Sequence, residues 1–389
     1  MNDSPTLSSF FAILVSFGTS VCVTFWARRN FVGGGFQDQA GSRSLHSGIT
    51  PKVGGLGMLP AVILGLLTYW LLGGTNQAPH GFDLDRALQL FSWIGPSIVI
   101  YLVCLLSDRA KIELPATTRL LAFLIASLGF VGLVLSLLAP EMLRSIQTRM
   151  STYEYFNPLV GVLAIAGFVA IGILAFTNFF NFMDGIDGLA GSMGVIGFAT
   201  FGTIALLEPS EPSLGIATLI ISASCCGFLI WNWPKAKVFM GDTGSTFLGF
   251  SAAALGWLGS LDGLWHWSFS FLVFFPFWFD ASSTLLRRLF RGEKIWKAHR
   301  EHFYQRAVLS LEGLEMSERH LRVLIPAIAL MLVSSFVAIA QHLNWLGLSR
   351  FQPWAAVAVL TLIHASLALW VEARYKSSAH HGATHTSKK

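Results

Sequence analysis

Apolar runs of about twenty residues recur along this chain, each long enough to cross the roughly 30 Å hydrocarbon core of a bilayer as a helix. The sequence gives eleven of them, at approximately 8–27, 53–73, 88–106, 120–139, 158–177, 188–207, 213–231, 246–261, 265–285, 323–341 and 353–372. Of 389 residues, 53% are hydrophobic and 12% charged, against roughly 25% charge in a soluble domain. Hydrocarbon offers no partner to a bare peptide group, so apolar runs of this length cross it as helices whose backbone bonds close internally. An all-α integral membrane protein of about eleven transmembrane helices is the expected fold.

Lys and Arg accumulate in the cytoplasmic loops of membrane proteins, which lets the span count be checked against charge. With the N-terminus outside, every basic residue except Arg86, Arg144, Arg149 and Arg350 falls on the cytoplasmic side, and so does the C-terminus. The net charge of +5 then reflects topology rather than nucleic-acid binding. Cys22, Cys104, Cys225 and Cys226 all lie inside apolar spans, so they read as packing residues, not a disulfide framework. The first apolar run lacks a basic leader and is followed by Arg28 and Arg29, the pattern of an uncleaved first helix rather than a signal peptide. Residues 1–376 read as a single polytopic domain and 377–389 as a disordered polar tail.

Five polar clusters interrupt these runs on the side assigned to the cytoplasm, where function is to be sought. In the first, from Ser44 to Gly57, glycines permit close backbone approach and His46 and Lys52 offer donors to an anion. The same stretch also reads as a turn into a Gly-rich packed helix. Asp108 forms the second, at the end of the third span beside Arg109 and Lys111, and a solvated carboxylate is the plain alternative. The third runs from Asn178 through Asn181, Asp184 and Asp187 to Gly191, between two strongly apolar spans. On a helix, polar groups three apart share a face, and acids beside hydrocarbon are costly unless paired or metal-bound.

In the fourth, Asp242 stands between Gly241 and Gly244 at the start of the eighth span, after Lys235 and Lys237. Asp242 or Ser245 can serve there as an N-cap, and the free amides of the same helix start can cradle a phosphate. The fifth is the long loop from Arg287 to Arg306. Its His299, Arg300, Glu301 and His302 are one residue too closely spaced for the helical zinc-hydrolase motifs, and they suit either a polyanion or an anionic lipid surface. Asp280, inside the ninth span, reads as a structural partner of Arg287 or Arg288.

In this order the clusters resemble those of the polyprenyl-phosphate N-acetylhexosamine-1-phosphate transferases. That family includes phospho-N-acetylmuramoyl-pentapeptide transferase and the enzymes that start O-antigen and teichoic acid synthesis. The resemblance rests on 46–57, 178–191, 228–250 and 298–306, the last nearest to the O-antigen-initiating branch. It implies transfer of a sugar 1-phosphate from a UDP-sugar to undecaprenyl phosphate, with release of UMP, at the cytoplasmic face of a bacterial inner membrane. Magnesium is the implied cofactor, with manganese able to replace it, and a homodimer is compatible with the pattern.

The resemblance further implies catalytic roles for Asp108, Asp184, Asp187 and Asp242, and metal contacts from Asn181, Asp184 and Asp242. Substrate contacts are expected from His46, Lys52, Asn178, Lys237, His299, Arg300 and His302. One departure stands out: Ser107-Asp108 replaces the two adjacent aspartates usual in the family. A transporter, with midplane charges in broken helices, and an inactive scaffold of a glycan-assembly complex are the competing classes.

Overall fold

The computed structural model describes residues 4–31, 36–39, 49–74, 84–109, 114–150, 158–207, 212–294, 297, 299–345 and 353–386. Helix α1 (Ser4–Asn30) is followed by a small antiparallel pair, β1 (Gln37–Gln39) and β2 (Ile49–Pro51), with Asp38 opposite Thr50. Then come α2 (Gly55–Tyr69), a π-helical turn (Trp70–Gly74), α3 (Leu84–Asp108), α4 (Ala116–Met150) and α5 (Pro158–Phe182). The next group is α6 (Leu189–Leu207), α7 (Pro212–Asn232), α8 (Gly241–Leu261), α9 (Phe269–Val273) and α10 (Phe275–Phe290). The chain ends with α11 (Phe303–Leu309), α12 (Met316–His342) and α13 (Trp354–Thr386).

Among the described residues, nine helices are long and apolar enough to cross a membrane: α1 to α7, α12 and α13. Their outward faces carry exposed side chains such as Phe168, Ile171, Leu362 and Leu369. In water such a surface would drive association; in lipid it meets a matching solvent.

The other two expected spans depart from simple membrane helices, for different reasons. Helix α8 has the length of a span, but α2, α3, α5 and α6 pack around it, and sixteen of its residues are buried. A helix that sees protein on all sides need not be greasy, and α8 accordingly carries Thr243, Ser245, Thr246 and Ser251, the last accepting a 3.0 Å bond from Trp93 Nε1 of α3. The stretch expected to cross at 265–285 is broken at Phe274, before Pro276 in the first turn of α10. Proline fits a helix start because that position needs no N–H.

The Phe274 ring fills this break, edge-on to Phe176, Phe198 and Phe201. The tail expected to be disordered from residue 377 instead continues α13 to Thr386; no proline interrupts it, and the upstream helix supplies the nucleus that helix formation otherwise lacks. The four cysteines are unpaired thiols.

Candidate active site

Four helix ends meet at one place. Asp108 is the last residue of α3, Arg119 lies in the first turn of α4, Asn181 in the last turn of α5, and Asp242 in the first turn of α8. Asn181 Nδ2 donates to Asp242 Oδ1 and to Ser245 Oγ, each at 2.9 Å. Arg119 forms an ion pair with the other oxygen of Asp242. The amino ends of α4 and α8 thus face the cluster with the positive poles of their dipoles, the sign that favours phosphate and carboxylate.

Asp108 reaches across to cap α8. Its carboxylate accepts from the backbone N–H of Asp242 at 3.1 Å and of Thr243 at 2.8 Å, and from the Thr243 hydroxyl at 2.5 Å. Hydrogen bonds to a charged group contribute about 1.5–3 kcal/mol each, so this cap firmly holds the start of α8. Gly241 makes it possible: its φ of +75° suits glycine, and an added Cβ would sit 2.8 Å from Asp108 Oδ2. The capping group expected within the motif itself, Asp242 or Ser245, is therefore replaced by an acid from another helix.

Asp184 does not continue α5 as the helical reading requires. The helix ends at Phe182, and residues 183–188 form a loop, with Gly188 at φ +79° turning the chain into α6. On this loop, desolvation pushes the Asp184 carboxyl up to about 8, and the charges of Asp242 and Asp108 push it the same way while Lys52 opposes them. Lys52 is positioned by the small sheet: its N–H donates to Phe36 O at 2.8 Å, and it bridges in parallel to Phe239, whose N–H donates to Pro51 O at 2.9 Å.

Asp187 is buried and fully engaged. It accepts from the Ala236 N–H at 2.9 Å and lies 3.2 Å from His320 Nδ1 of α12, tying the 183–188 loop to the segment before α8. Asn232 assists by accepting from the Gly188 N–H and donating to Val238 O, both at 2.9 Å. The Asn178 amide donates to Leu174 O within α5 at 2.7 Å, and the Lys237 ammonium sits 5.9 Å from the centre of the Trp231 ring. His46 lies outside the described residues.

The His299–His302 loop adjoins the cluster on another side. The His302 ring lies 6.1 Å from that of Phe182 and 4.9 Å from that of His299, and Tyr304 Oη donates to Phe182 O at 2.9 Å. Burial, with the charges of His302 and Arg288, pulls His299 down to about 4, so its imidazole is neutral near pH 7. Arg300 is half-buried beside them.

His302 is buried with Nδ1 3.1 Å from Asp280. Asp280 also accepts from the N–H groups of Phe303 at 3.0 Å and Tyr304 at 3.2 Å. It therefore caps α11 and does not pair with Arg287 or Arg288 as expected. Those arginines instead serve Glu301: Arg287 binds its carbonyl at 2.7 Å and Arg288 its carboxylate at 2.6 Å.

Among the described residues no three His, Cys, Asp or Glu side chains form a metal-holding group. Magnesium asks for less, one or two carboxylates completed by substrate oxygens and water. Asp184 and Asp242, with the Asn181 amide beside them, fit that donor set, and the crowding of negative charge at Asp184 is what a cation relieves.

The sequence profile of glycosyl transferase family 4 matches residues 90–260, a stretch that carries Asp108, Arg119, Asn181, Asp184 and Asp242. The phospho-N-acetylmuramoyl-pentapeptide-transferase of Picosynechococcus sp. (strain ATCC 27264 / PCC 7002 / PR-6) is 31% identical over 273 residues, 68% of this chain and 69% of that protein. The chain belongs to glycosyl transferase family 4.

A second member of the family, the probable undecaprenyl-phosphate N-acetylglucosaminyl 1-phosphate transferase of Bacillus subtilis (strain 168), is 28% identical over 366 residues, covering 90% of this chain and 89% of that one. The phospho-N-acetylmuramoyl-pentapeptide-transferase of Streptomyces griseus subsp. griseus is 30% identical over 273 residues, 64% of this chain and 74% of that protein. With nine apolar helices of spanning length among the described residues and bacterial relatives, this family 4 chain is a multi-pass membrane protein.

Arg119, Thr243 and His320 are site residues that sequence reasoning missed. Arg119 counted only as a topological charge, and nothing local marks His320 as the partner of Asp187, 133 residues away.

Proposed function

We propose that this protein transfers an N-acetylhexosamine 1-phosphate from a UDP-sugar to undecaprenyl phosphate, with release of UMP, as the first membrane step of an envelope polysaccharide of the O-antigen kind. The observation that carries this reading is the convergence of Asp108, Arg119, Asn181 and Asp242 from four helix ends, with Asp184 on the adjoining loop. The names of the relatives support the chemistry, and residues 1–376 act as one domain. On this reading the chain crosses eleven times, counting α8 and the broken α9–α10 pair, with the N-terminus outside, the orientation that leaves most Lys and Arg on the cytoplasmic side. The C-terminus and the site then lie at the cytoplasmic face of the inner membrane.

In the reaction an oxygen of the lipid phosphate attacks the phosphorus that carries the sugar, the bond from that phosphorus to the UMP oxygen breaks, and UMP leaves. Asp242, Asp184 and Asn181 would hold Mg²⁺, with Mn²⁺ able to substitute; when bound it neutralises charge on the diphosphate. The chain's own contribution is to position and compensate charge. Arg119 and the amide ends of α4 and α8 offer positive potential, Lys52 adds a cation at Asp184, and Asp108 fixes α8 so that Asp242 stays in register. His299 and Arg300 provide donors toward the diphosphate, His302 steadies that loop through Asp280, and Asp187 holds the 233–240 segment that carries Lys237.

Purified protein supplied with a panel of UDP-N-acetylhexosamines should release UMP only when undecaprenyl phosphate is present, and should form a lipid-linked sugar in equal amount. UMP release without the lipid, or none with any sugar tried, would refute the proposal.

A further inference from the structure

A cavity of about 250 Å³ lies between α10, α11, α12 and α13, outside the carboxylate cluster. Its wall is almost entirely apolar, with Phe277, Phe279, Val323, Ala327, Leu330 and Leu367 among the lining residues. At its rim stand two exposed guanidinium groups, Arg322 from the first turns of α12 and Arg374 toward the end of α13. Among the described residues Arg322 pairs with Glu318 at 2.7 Å, an exposed neighbour on the same helix, and such pairs are worth little and give way readily. Arg374 lies 4.9 Å from the centre of the Trp370 ring, itself exposed, and tryptophan is the side chain that favours a bilayer interface.

The acids near this rim do not oppose an anion. Glu372 is taken up by Arg306, Arg287 and Lys376, and Asp280, within the wall, is satisfied by the amide end of α11 and by His302. An apolar slot with a doubly cationic mouth matches one kind of molecule, an amphiphile with an acyl chain and an anionic head. Basic pockets between membrane helices are where such headgroups bind.

We propose that this cavity is a binding site for an anionic phospholipid, one acyl chain lying between α10 and α12–α13 and the phosphate held by Arg322 and Arg374. The site is separate from the proposed transfer reaction and does not rest on it. It touches the carboxylate cluster through one wall: Tyr304 and Met183 line the cavity, and Tyr304 Oη both holds Phe182 O and lies where a Cβ on Gly185 would approach to 2.0 Å. A lipid seated there braces the loop that carries Asp184.

The test is photolabelling of the full-length protein in nanodiscs, using phosphatidylglycerol or phosphatidylcholine with a diazirine on the acyl chain and mapping the adducts by peptide mass spectrometry. Phosphatidylglycerol should label α12 and α13 between Val323 and Leu330 and around Leu367 at least fivefold more than phosphatidylcholine. Combining Arg322→Gln with Arg374→Gln, both at exposed positions, should reduce the anionic lipid to the level of the zwitterionic one. Ala327→Trp, which fills the slot, should abolish both. Equal labelling by the two lipids in the wild type, or unchanged labelling in the arginine double variant, would overturn the proposal. Displacement of the label by equimolar undecaprenyl phosphate would also overturn it, by assigning the cavity to the carrier. These readouts are independent of transfer activity.

Discussion

Two carboxylates in this protein do the same architectural work in opposite electrical surroundings. Asp108 caps α8 and Asp280 caps α11, each accepting two backbone N–H bonds; Asp108 also accepts from the Thr243 hydroxyl, and Asp280 from the Thr284 hydroxyl, with the His302 ring beside it. Around Asp280 the charges are matched: Arg287, Arg288, Arg291 and Arg306 interlock with Glu293, Glu301 and Glu372. Around Asp108 the acids gather without such matching, since Asp184 and Asp242 share one region with Arg119 and the more distant field of Lys52. The difference teaches where to look for chemistry. The place where negative charge accumulates is where a cation and a phosphorylated substrate would lower the energy most.

The sharpest way to break this comparison is to remove one acid from each region. Asp242→Ala should lower transfer roughly 10³-fold, equivalent to several kcal/mol of lost charge stabilisation, with little change in melting temperature. Asp280→Ala should do the reverse. It leaves buried donors at the start of α11 unpaired, a cost of about 1–3 kcal/mol per group, so melting falls by several degrees while the folded fraction, its His299–His302 loop loosened, loses far less rate than Asp242→Ala does. Thermal unfolding and UMP release measured on the same samples decide the matter; equal loss of rate in both variants would remove the distinction.

A smaller effect is expected from Arg119→Gln. The arginine pairs with Asp242; on the proposed reading it would compete with a divalent ion there and compensate substrate charge, so its loss should lower the maximal rate about tenfold while lowering the magnesium concentration for half-maximal rate. Titration of the rate with magnesium separates these two effects.

The smallest effect concerns pH. His299 is held at about 4 against an ordinary 6.5, so the folded state binds fewer protons there than the unfolded chain. Stability from this group is complete above about 6.5 and is lost as pH falls toward 4. His299→Gln should flatten that part of the melting-temperature profile between pH 4 and 6.5 and leave it unchanged above 7.

The positions of the helices and the contiguous motifs were legible because each is written in a run of neighbouring residues: apolar for the spans, Asn-Asp-Gly and Met-Gly-Asp-Thr-Gly-Ser for the site. What stayed hidden depends on pairing between distant segments. Asp280 invited a partner from its own helix, yet the amide end of α11 lay closer and needed an acceptor. Asp187 resembled its neighbour Asp184 in sequence, and its contacts to His320 and the Ala236 amide come from segments far along the chain. The 265–285 stretch had the apolarity of a span, and only the tertiary seat of Phe274 shows it as two helices. His46 lies where the structure offers no description to compare.

The central claim, that unmatched acids mark the cation site, is tested most directly by Mn²⁺ binding followed by electron paramagnetic resonance in the presence of a UDP-sugar. Wild-type protein and Asp280→Ala should each hold the ion, and Asp242→Ala should release it. Retention of Mn²⁺ by Asp242→Ala with wild-type affinity would contradict the account.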